Sequence, residues 1–395
     1  MAGSVSDVAF RRLAGPDDRP ALVLGPSLGT AVAQLWAPVL DLLRDDFTVL
    51  GWDLPGHGAA PAPAPANEYA VGDLAAAVAI GIGAHADGPV HVAGDSLGGA
   101  VGMQLALDRP ELVRTVTVCC SAARIGDAQG WRDRVETVRA GGTDAVVEGS
   151  AKRWFAPGFA DRAPGVAHAL LDTLRQVDDT GYIAACDALA TFDIRDRLAD
   201  LAAPLLAIAG AADAVVPVAD LRLVAESVRD GRLDVLDGVA HLAPAEAPQQ
   251  VARLIRRQVS RSRSGAEVAA AGMTVRRAVL GDAHVDRAVA GTTEFTADFQ
   301  DFITQYAWGT VWTRPGLSRR DRSLITLTAL VAHGHLDELA MHVHAARRNG
   351  LSPDEIGETL LHAAIYVGVP AANAAFRVAQ QVLAETGDIA DGSDT

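Results

Sequence analysis

Residues 90–107 read VHVAGDSLGGAVGMQLAL: an apolar run meets Gly94-Asp95-Ser96-Leu97-Gly98, and a second apolar run with helical spacing follows. A serine with glycine two residues to either side, placed between a buried strand and a buried helix, fits a sharp strand-to-helix turn that holds the hydroxyl at its apex. Glycine suits both flanking positions if neighbouring backbone passes too close for a Cβ. Such a corner lies at the carboxyl edge of an open parallel sheet, where ligands bind in α/β architectures.

The surrounding sequence supplies that sheet. ALVLGPSLG (21–29), FTVLGWDLPGHG (47–58), VRTVTVCCSA (113–122), PLLAIAGAAD (204–213) and GRLDVLDGVAH (231–241) each read as a short apolar strand running into a loop. Helical patterns at 69–85 and 100–113 lie between them. Strands of this kind alternating with helices predict a parallel sheet covered on both faces, an α/β fold. The rhythm fails between about 121 and 200, where only helical patterns occur; this stretch is expected to form a helical cap over the sheet edge.

The chain has 395 residues, more than one domain usually needs. RRQVSRSRSGAEVAAAG (256–272) is dominated by Ser, Gly and Ala, without clear apolar periodicity, and predicts a linker over 259–274. The expected N-terminal domain therefore spans 1–258. From 275 to 390 strand signals disappear, and five helical patterns with marked borders predict a small all-α domain. Ser318 can cap a helix opening SRRD, Ser352-Pro353-Asp354-Glu355 is a helix start, and Gly350 suits a helix end.

A formal charge of −15 disfavours nucleic acid and anionic membrane surfaces as partners. No run of eighteen apolar residues predicts a membrane span. The N-terminus lacks the apolar region of a signal peptide, and the three cysteines, Cys119, Cys120 and Cys186, make no disulfide framework or metal spacing; a cytoplasmic chain is expected.

A serine nucleophile needs a base and a carboxylate that orients it, and in this arrangement they follow in the order Ser, Asp, His. Asp213 and His241 both stand at the ends of strand patterns, where they can join Ser96. The oxyanion that forms needs two N–H donors: Leu97, directly after the nucleophile, and one from GPSLGT, with Ser27 the first choice and Leu28 the second. His57 is either a second base or a loop-holding residue. Asp95, a carboxylate beside the nucleophile, either points away or repels an anionic substrate.

These motifs, together with GWDLPGHG, resemble the α/β-hydrolase superfamily over roughly residues 8–258. PSLGT…W (26–36), GDSLGGAV and KRWF (152–155) are most similar to 3-oxoadipate enol-lactonases. The resemblance implies a lactone substrate and puts Trp154 in the cap, where it either lines the substrate site or packs the cap.

The C-terminal part carries R-P-G-L-S, E-L-x-x-H, N-G-L and Y-x-G-x-P in order, and resembles the carboxymuconolactone decarboxylase family over nearly all of 275–388. That resemblance implies a homo-oligomer formed through this domain. Glu338 and His342 stand at i and i+4 and share a helix face, either as a proton-transfer pair or as a plain helix pair. Arg314 and Arg322 can bind carboxylates. His362 and Tyr366, again at i and i+4, can line the same pocket. Loss of CO₂ beside a conjugated lactone requires neither metal nor cofactor, and none is expected: HExxH is absent, and the His342-x-His344 pair diverges on a helix. With no cysteine in the domain, the thiol chemistry of some relatives is excluded.

Together the two resemblances imply consecutive reactions on small anionic lactones: decarboxylation of 4-carboxymuconolactone, then hydrolysis of 3-oxoadipate enol-lactone by Ser96. The other readings are an esterase or lactonase of different specificity, and a C-terminal module that only oligomerises.

Overall fold

The computed structural model describes residues 8–64, 68–314 and 316–389. These form two compact units that divide at Ser262/Arg263; the ends of both expected domains, and Pro315 of the R-P-G-L-S motif, lie outside the described residues.

The first unit is built on a seven-stranded sheet: β1 (Ala9–Ala14), β2 (Ala21–Gly25), β3 (Thr48–Asp53), β4 (Val90–Asp95), β5 (Val113–Cys119), β6 (Leu205–Gly210) and β7 (Gly231–Leu236). Their order is β1-β3-β2-β4-β5-β6-β7. All neighbours run parallel except β1, which pairs antiparallel with β3. β3, β4 and β6 are buried along their whole length, as continuous apolar runs in a covered parallel sheet must be. β1 escaped the sequence reading because Arg11 and Arg12 interrupt its apolar pattern. It is an edge strand, and there Arg11 pairs with Asp53 at 2.7 Å.

Between β5 and β6 the chain forms helices Ala128–Gly141, Asp144–Trp154, Phe159–Arg162, Pro164–Gln176 and Asp179–Thr191, with no strand. Helix Leu97–Asp108 follows β4 directly and is buried from Leu97 to Ala106.

The second unit is helical: Gly265–Leu280, Asp282–Ala290, Glu294–Ile303, a π-helical stretch Thr304–Trp312, then Arg319–His333, Leu336–Arg348, Pro353–Val367 and Val369–Glu385. Reciprocal capping boxes open three of them, Ser264 with Glu267, Ser318 with Asp321, and Ser352 with Glu355. Gly350 ends its helix at φ +88°. Leu327, Val331, Leu339, Val343, Leu351, Ile356 and Leu360 form the core.

The division between the units falls inside the linker expected over 259–274, but only residues 262–264 of it lie outside helices: helix Pro248–Arg261 covers its start and helix Gly265–Leu280 its end. The small residues read as flexible are packing residues. A β-carbon on Gly272 would come within 2.2 Å of the Thr304 carbonyl oxygen, and one on Gly309 within 2.4 Å of the Val268 carbonyl oxygen. Two backbones cross closely there, which periodicity of large apolar side chains cannot register.

Candidate active site

The end of β4 turns into helix Leu97–Asp108 through Ser96, whose φ of 50° and ψ of −115° are rare for a residue with a side chain. Its neighbours enforce that conformation. Ser96 N–H donates to the Cys119 carbonyl at 2.8 Å, and the Ser96 carbonyl accepts from Ser121 Oγ at 2.7 Å. The glycines are needed for space: a β-carbon on Gly94 would lie 2.2 Å from the carbonyl carbon of Gly98, and one on Gly98 would lie 2.5 Å from that of Gly25.

His241 follows β7 and reaches Ser96 Oγ through Nε2 at 3.0 Å; its Nδ1 faces Asp213 Oδ2 at 2.9 Å. Asp213 Oδ1 accepts from the amides of Val215 at 2.7 Å and Val216 at 3.1 Å. With its second oxygen committed to amides, the carboxylate accepts Nδ1–H and leaves Nε2 free to receive the serine proton. Both side chains are almost wholly buried. The sequence separations are long, yet the three groups are hydrogen-bonded in a row.

The loop carrying His241 is tied to the cap. The Trp154 carbonyl accepts from the amides of His241 at 3.1 Å and Leu242 at 3.3 Å. Glu246 binds the amides of Ala240 at 2.9 Å and Ala156 at 2.8 Å with its two oxygens. The Trp154 ring is buried against the loop at 27–30: a β-carbon on Gly29 would lie 3.3 Å from it and 3.3 Å from Tyr182. Cap position and imidazole position are therefore one structural unit, a link with no short-range sequence signal.

The two expected oxyanion donors fare differently. Leu97 N–H, at the first turn of its helix, has no acceptor among the described residues. Ser27 N–H is turned onto Thr30 Oγ1 at 3.1 Å, and that hydroxyl donates back to the Ser27 carbonyl at 2.8 Å. The next amide, Leu28, has no acceptor among the described residues. The Ser27–Thr30 exchange consumes the first-choice donor and leaves the second free.

Asp95 is fully buried, with both carboxyl oxygens unpartnered among the described residues. Burial above all, then Asp213 and Glu246, pushes its pKa well above the usual carboxylate range. Burial and the raised pKa both work against a charged group beside Ser96.

His57 is fully buried, with Nδ1 at 3.0 Å from the Pro55 carbonyl, and burial pulls its pKa down to about 4. No hydrogen bond joins it to Ser96 among the described residues; its Nδ1 bonds within its own loop, and its Nε2 is buried without a partner among the described residues. The unfolded chain binds this proton from about pH 6.5 downward and the folded chain only below about 4. The resulting stability is complete above 6.5 and is lost as pH falls to 4, worth about 3 kcal/mol. His57→Gln is expected to lack this share of the acid-side loss; urea titrations of both proteins at pH 7 and pH 4.5 measure it, and parallel losses would refute it.

The sequence reading missed two cap arginines. Arg134 donates from Nε to Tyr182 Oη at 2.6 Å and from Nη2 to Ser150 Oγ at 2.9 Å, and Arg153 lies near it. Burial and the charge of Arg134 lower the Arg153 pKa. Neither forms an ion pair among the described residues. The only sequence signal of Arg134 was charge on a cap helix, which is no different from a solvated face; Arg153 lies within KRWF, where Trp154 drew the expectation.

In the second unit, Glu338 and His342 share helix Leu336–Arg348. They make no direct hydrogen bond; burial, then His284, lower the His342 pKa, against a smaller upward pull from Glu338. His284, from helix Asp282–Ala290, was not anticipated from sequence. Arg314 is exposed, and its carbonyl accepts from Arg322 Nη2 at 2.8 Å, so the expected carboxylate pair is held partly by itself. His362 and Tyr366 sit with ring centroids 5.4 Å apart on an outward face, Tyr366 being 77 % exposed. Among the described residues, no hydrogen bond or ring contact joins either of them to His342.

Comparison with known proteins agrees with both units. The alpha/beta hydrolase fold model matches residues 20–148, and the carboxymuconolactone decarboxylase family model matches 297–381. The chain is 36 % identical over 236 residues to a 3-oxoadipate enol-lactonase of Acinetobacter baylyi, covering 60 % of this chain and 86 % of that protein. It is 47 % identical over 116 residues to the 4-carboxymuconolactone decarboxylase of the same organism, covering 29 % of this chain and 87 % of that protein. An enol-lactonase structure from Burkholderia xenovorans superposes with a TM-score of 0.60 at 28 % identity, covering 64 % of this chain and 96 % of that one. The chain thus belongs to two families joined end to end, the α/β-hydrolase enol-lactonases in its first unit and the carboxymuconolactone decarboxylases in its second.

Proposed function

We propose that this chain is a bifunctional enzyme of protocatechuate breakdown: its second unit decarboxylates 4-carboxymuconolactone and its first hydrolyses the resulting 3-oxoadipate enol-lactone. The observation that carries this is the presence, in one chain, of nearly the full length of a relative for each step.

In the hydrolase, Ser96 Oγ attacks the lactone carbonyl while His241 Nε2 takes its proton. The amides of Leu28 and Leu97 hold the oxyanion, because both point to no other acceptor. The ring C–O bond breaks, and the leaving enol oxygen receives the proton from His241. The enol then rearranges to the ketone, and water, activated by His241, releases the acid. Arg134 and Arg153 attract the substrate's carboxylate into the cap against a net negative chain, and Trp154 walls the site.

In the decarboxylase, the C–C bond to the departing carboxylate breaks, the electron pair passes into the conjugated lactone, and a proton is delivered to carbon. Glu338 and His342 are the proton-handling pair. NMR of full-length protein fed 4-carboxymuconolactone is expected to show 3-oxoadipate. His342→Gln is expected to slow lactone loss about 10²–10⁴-fold while added enol-lactone is hydrolysed normally. Persistence of the starting lactone with wild type would remove the decarboxylase assignment.

The second unit also assembles, with copies of itself as partners. Phe295, Phe299, Phe302 and Tyr306 recur at helical spacing, all exposed, with Phe295 at 95 %, and Ile365, Tyr366 and Val369 are exposed as well. Subunit contact would cover these groups and bring His362 and Tyr366 into a shared environment. Light scattering reads the mass directly; a monomer at micromolar concentration would overturn this. The acidic charge argues against nucleic acid. Three buried, unpaired cysteines suit the cytoplasm.

A further inference from the structure

Two consecutive arginines in helix Gly265–Leu280 have opposite surroundings. Arg277 is outward and pairs with Asp282 at 3.1 Å and Asp286 at 2.7 Å. Arg276 is turned inward, only 5 % exposed, and no carboxylate among the described residues pairs with it. Its bonds go to neutral oxygens: Nη1 to Thr304 Oγ1 at 3.3 Å and Nη2 to Gln300 Oε1 at 3.2 Å. Its Nε is buried with no acceptor among the described residues. An unpaired buried guanidinium is costly; elsewhere in this unit Arg347 pairs with Asp388 and Arg320 with Glu355.

Helix Gly265–Leu280 packs against the helices that carry His284 and the decarboxylase pair, with Val279, Leu280, Val285, Met341 and Ala345 in one cluster. Burial, then the charges of Arg287, Arg276 and Arg348, lower the His284 pKa, and His284 in turn acts on His342. Thr304, which receives Arg276 Nη1, opens the π-helical stretch, a geometry frequent at functional sites.

We propose that Arg276 is the carboxylate anchor of the second unit, and that it binds the carboxylate the lactone keeps rather than the one it loses. This rests on the decarboxylase reading. The choice between carboxylates follows from charge. The departing group becomes neutral CO₂, so an ion pair to it would stabilise the substrate more than the transition state and slow the step. A carboxylate that stays charged throughout is held equally in both states, and a buried arginine fork suits it. With that end fixed, His342 is left to handle the proton at the reacting carbon.

Initial rates of 4-carboxymuconolactone loss in full-length wild type, Arg276→Gln and Arg276→Lys test this, with calorimetric titration of the same proteins by glutarate, a non-reacting dicarboxylate. The expected result for Arg276→Gln is a KM raised about 30-fold or more with kcat changed by less than about threefold, partial recovery in Arg276→Lys, and lost glutarate affinity. A fall in kcat at unchanged KM, or wild-type KM in a folded variant, would overturn the proposal and leave the decarboxylase reading intact. Should Arg276→Gln fail to fold, Arg276→Lys decides: wild-type KM and glutarate affinity there overturn the anchor. Glutarate binding that depends on Arg276 in a protein without decarboxylase activity would uphold the anchor and reject the reading of the reaction. Neither turnover nor Arg276-dependent binding rejects both.

Discussion

Ser96→Ala is expected to convert the two-step enzyme into a one-step enzyme. Fed 4-carboxymuconolactone, the variant accumulates 3-oxoadipate enol-lactone, with hydrolysis slowed about 10⁵–10⁶-fold and decarboxylation unchanged. The size of the loss follows from the row Ser96–His241–Asp213: without Oγ, the base at 3.0 Å has no proton to take, and only the oxyanion amides and substrate binding remain. Folding should survive. The strain at Ser96 is held by backbone bonds to Cys119 and Ser121, and by the clearance at Gly94 and Gly98, none of which uses the hydroxyl. NMR of the product mixture reads the outcome. Continued formation of 3-oxoadipate at the wild-type rate, above the slow spontaneous opening of the lactone, would mean that Ser96 is not the nucleophile.

Asp213→Asn is expected to lower the hydrolysis kcat about 10⁴-fold with little change in fold. Oδ1 of Asp213 accepts from two amides, Val215 and Val216. An asparagine keeps its own oxygen there and must point its NH₂ at His241 Nδ1. That nitrogen then has to accept, the ring proton moves to Nε2, and Nε2 can no longer receive the Ser96 proton at its 3.0 Å contact. The defect is therefore one of tautomer, and a pre-steady-state assay should find acylation slowed. Normal acylation with only deacylation impaired would refute this account. Glu246, which also carries a carboxylate near this loop, binds the Ala240 and Ala156 amides and cannot replace Asp213.

Much of the first unit was legible from sequence because its signals are local. Six strands announced themselves as apolar runs that end in loops, and β4 with its glycine-serine corner fixed where the nucleophile stands. The order of Ser96, Asp213 and His241 followed from strand ends. β1 was missed, since Arg11 and Arg12 hide a strand whose partner, β3, lies some forty residues on. Helix starts in the second unit were legible for the same reason: Ser318 and Ser352 bond amides three residues away.

The sequence by itself determined these short-range features: strand and helix borders, the elbow, and which residue types could do the chemistry. Tertiary structure alone decided the rest. It turned the small residues of 264–274 into a close helix crossing through contact with Thr304 and Gly309. It buried Asp95, which raises its pKa, and placed His362 and Tyr366 on an outer face. Arg276 and Arg277 make the reason plain. As neighbours on one helix they have the same side chain and the same propensity, yet one meets two carboxylates and the other only neutral oxygens. A charge's role depends on the field of groups brought near it by distant chain, and no local pattern contains that field.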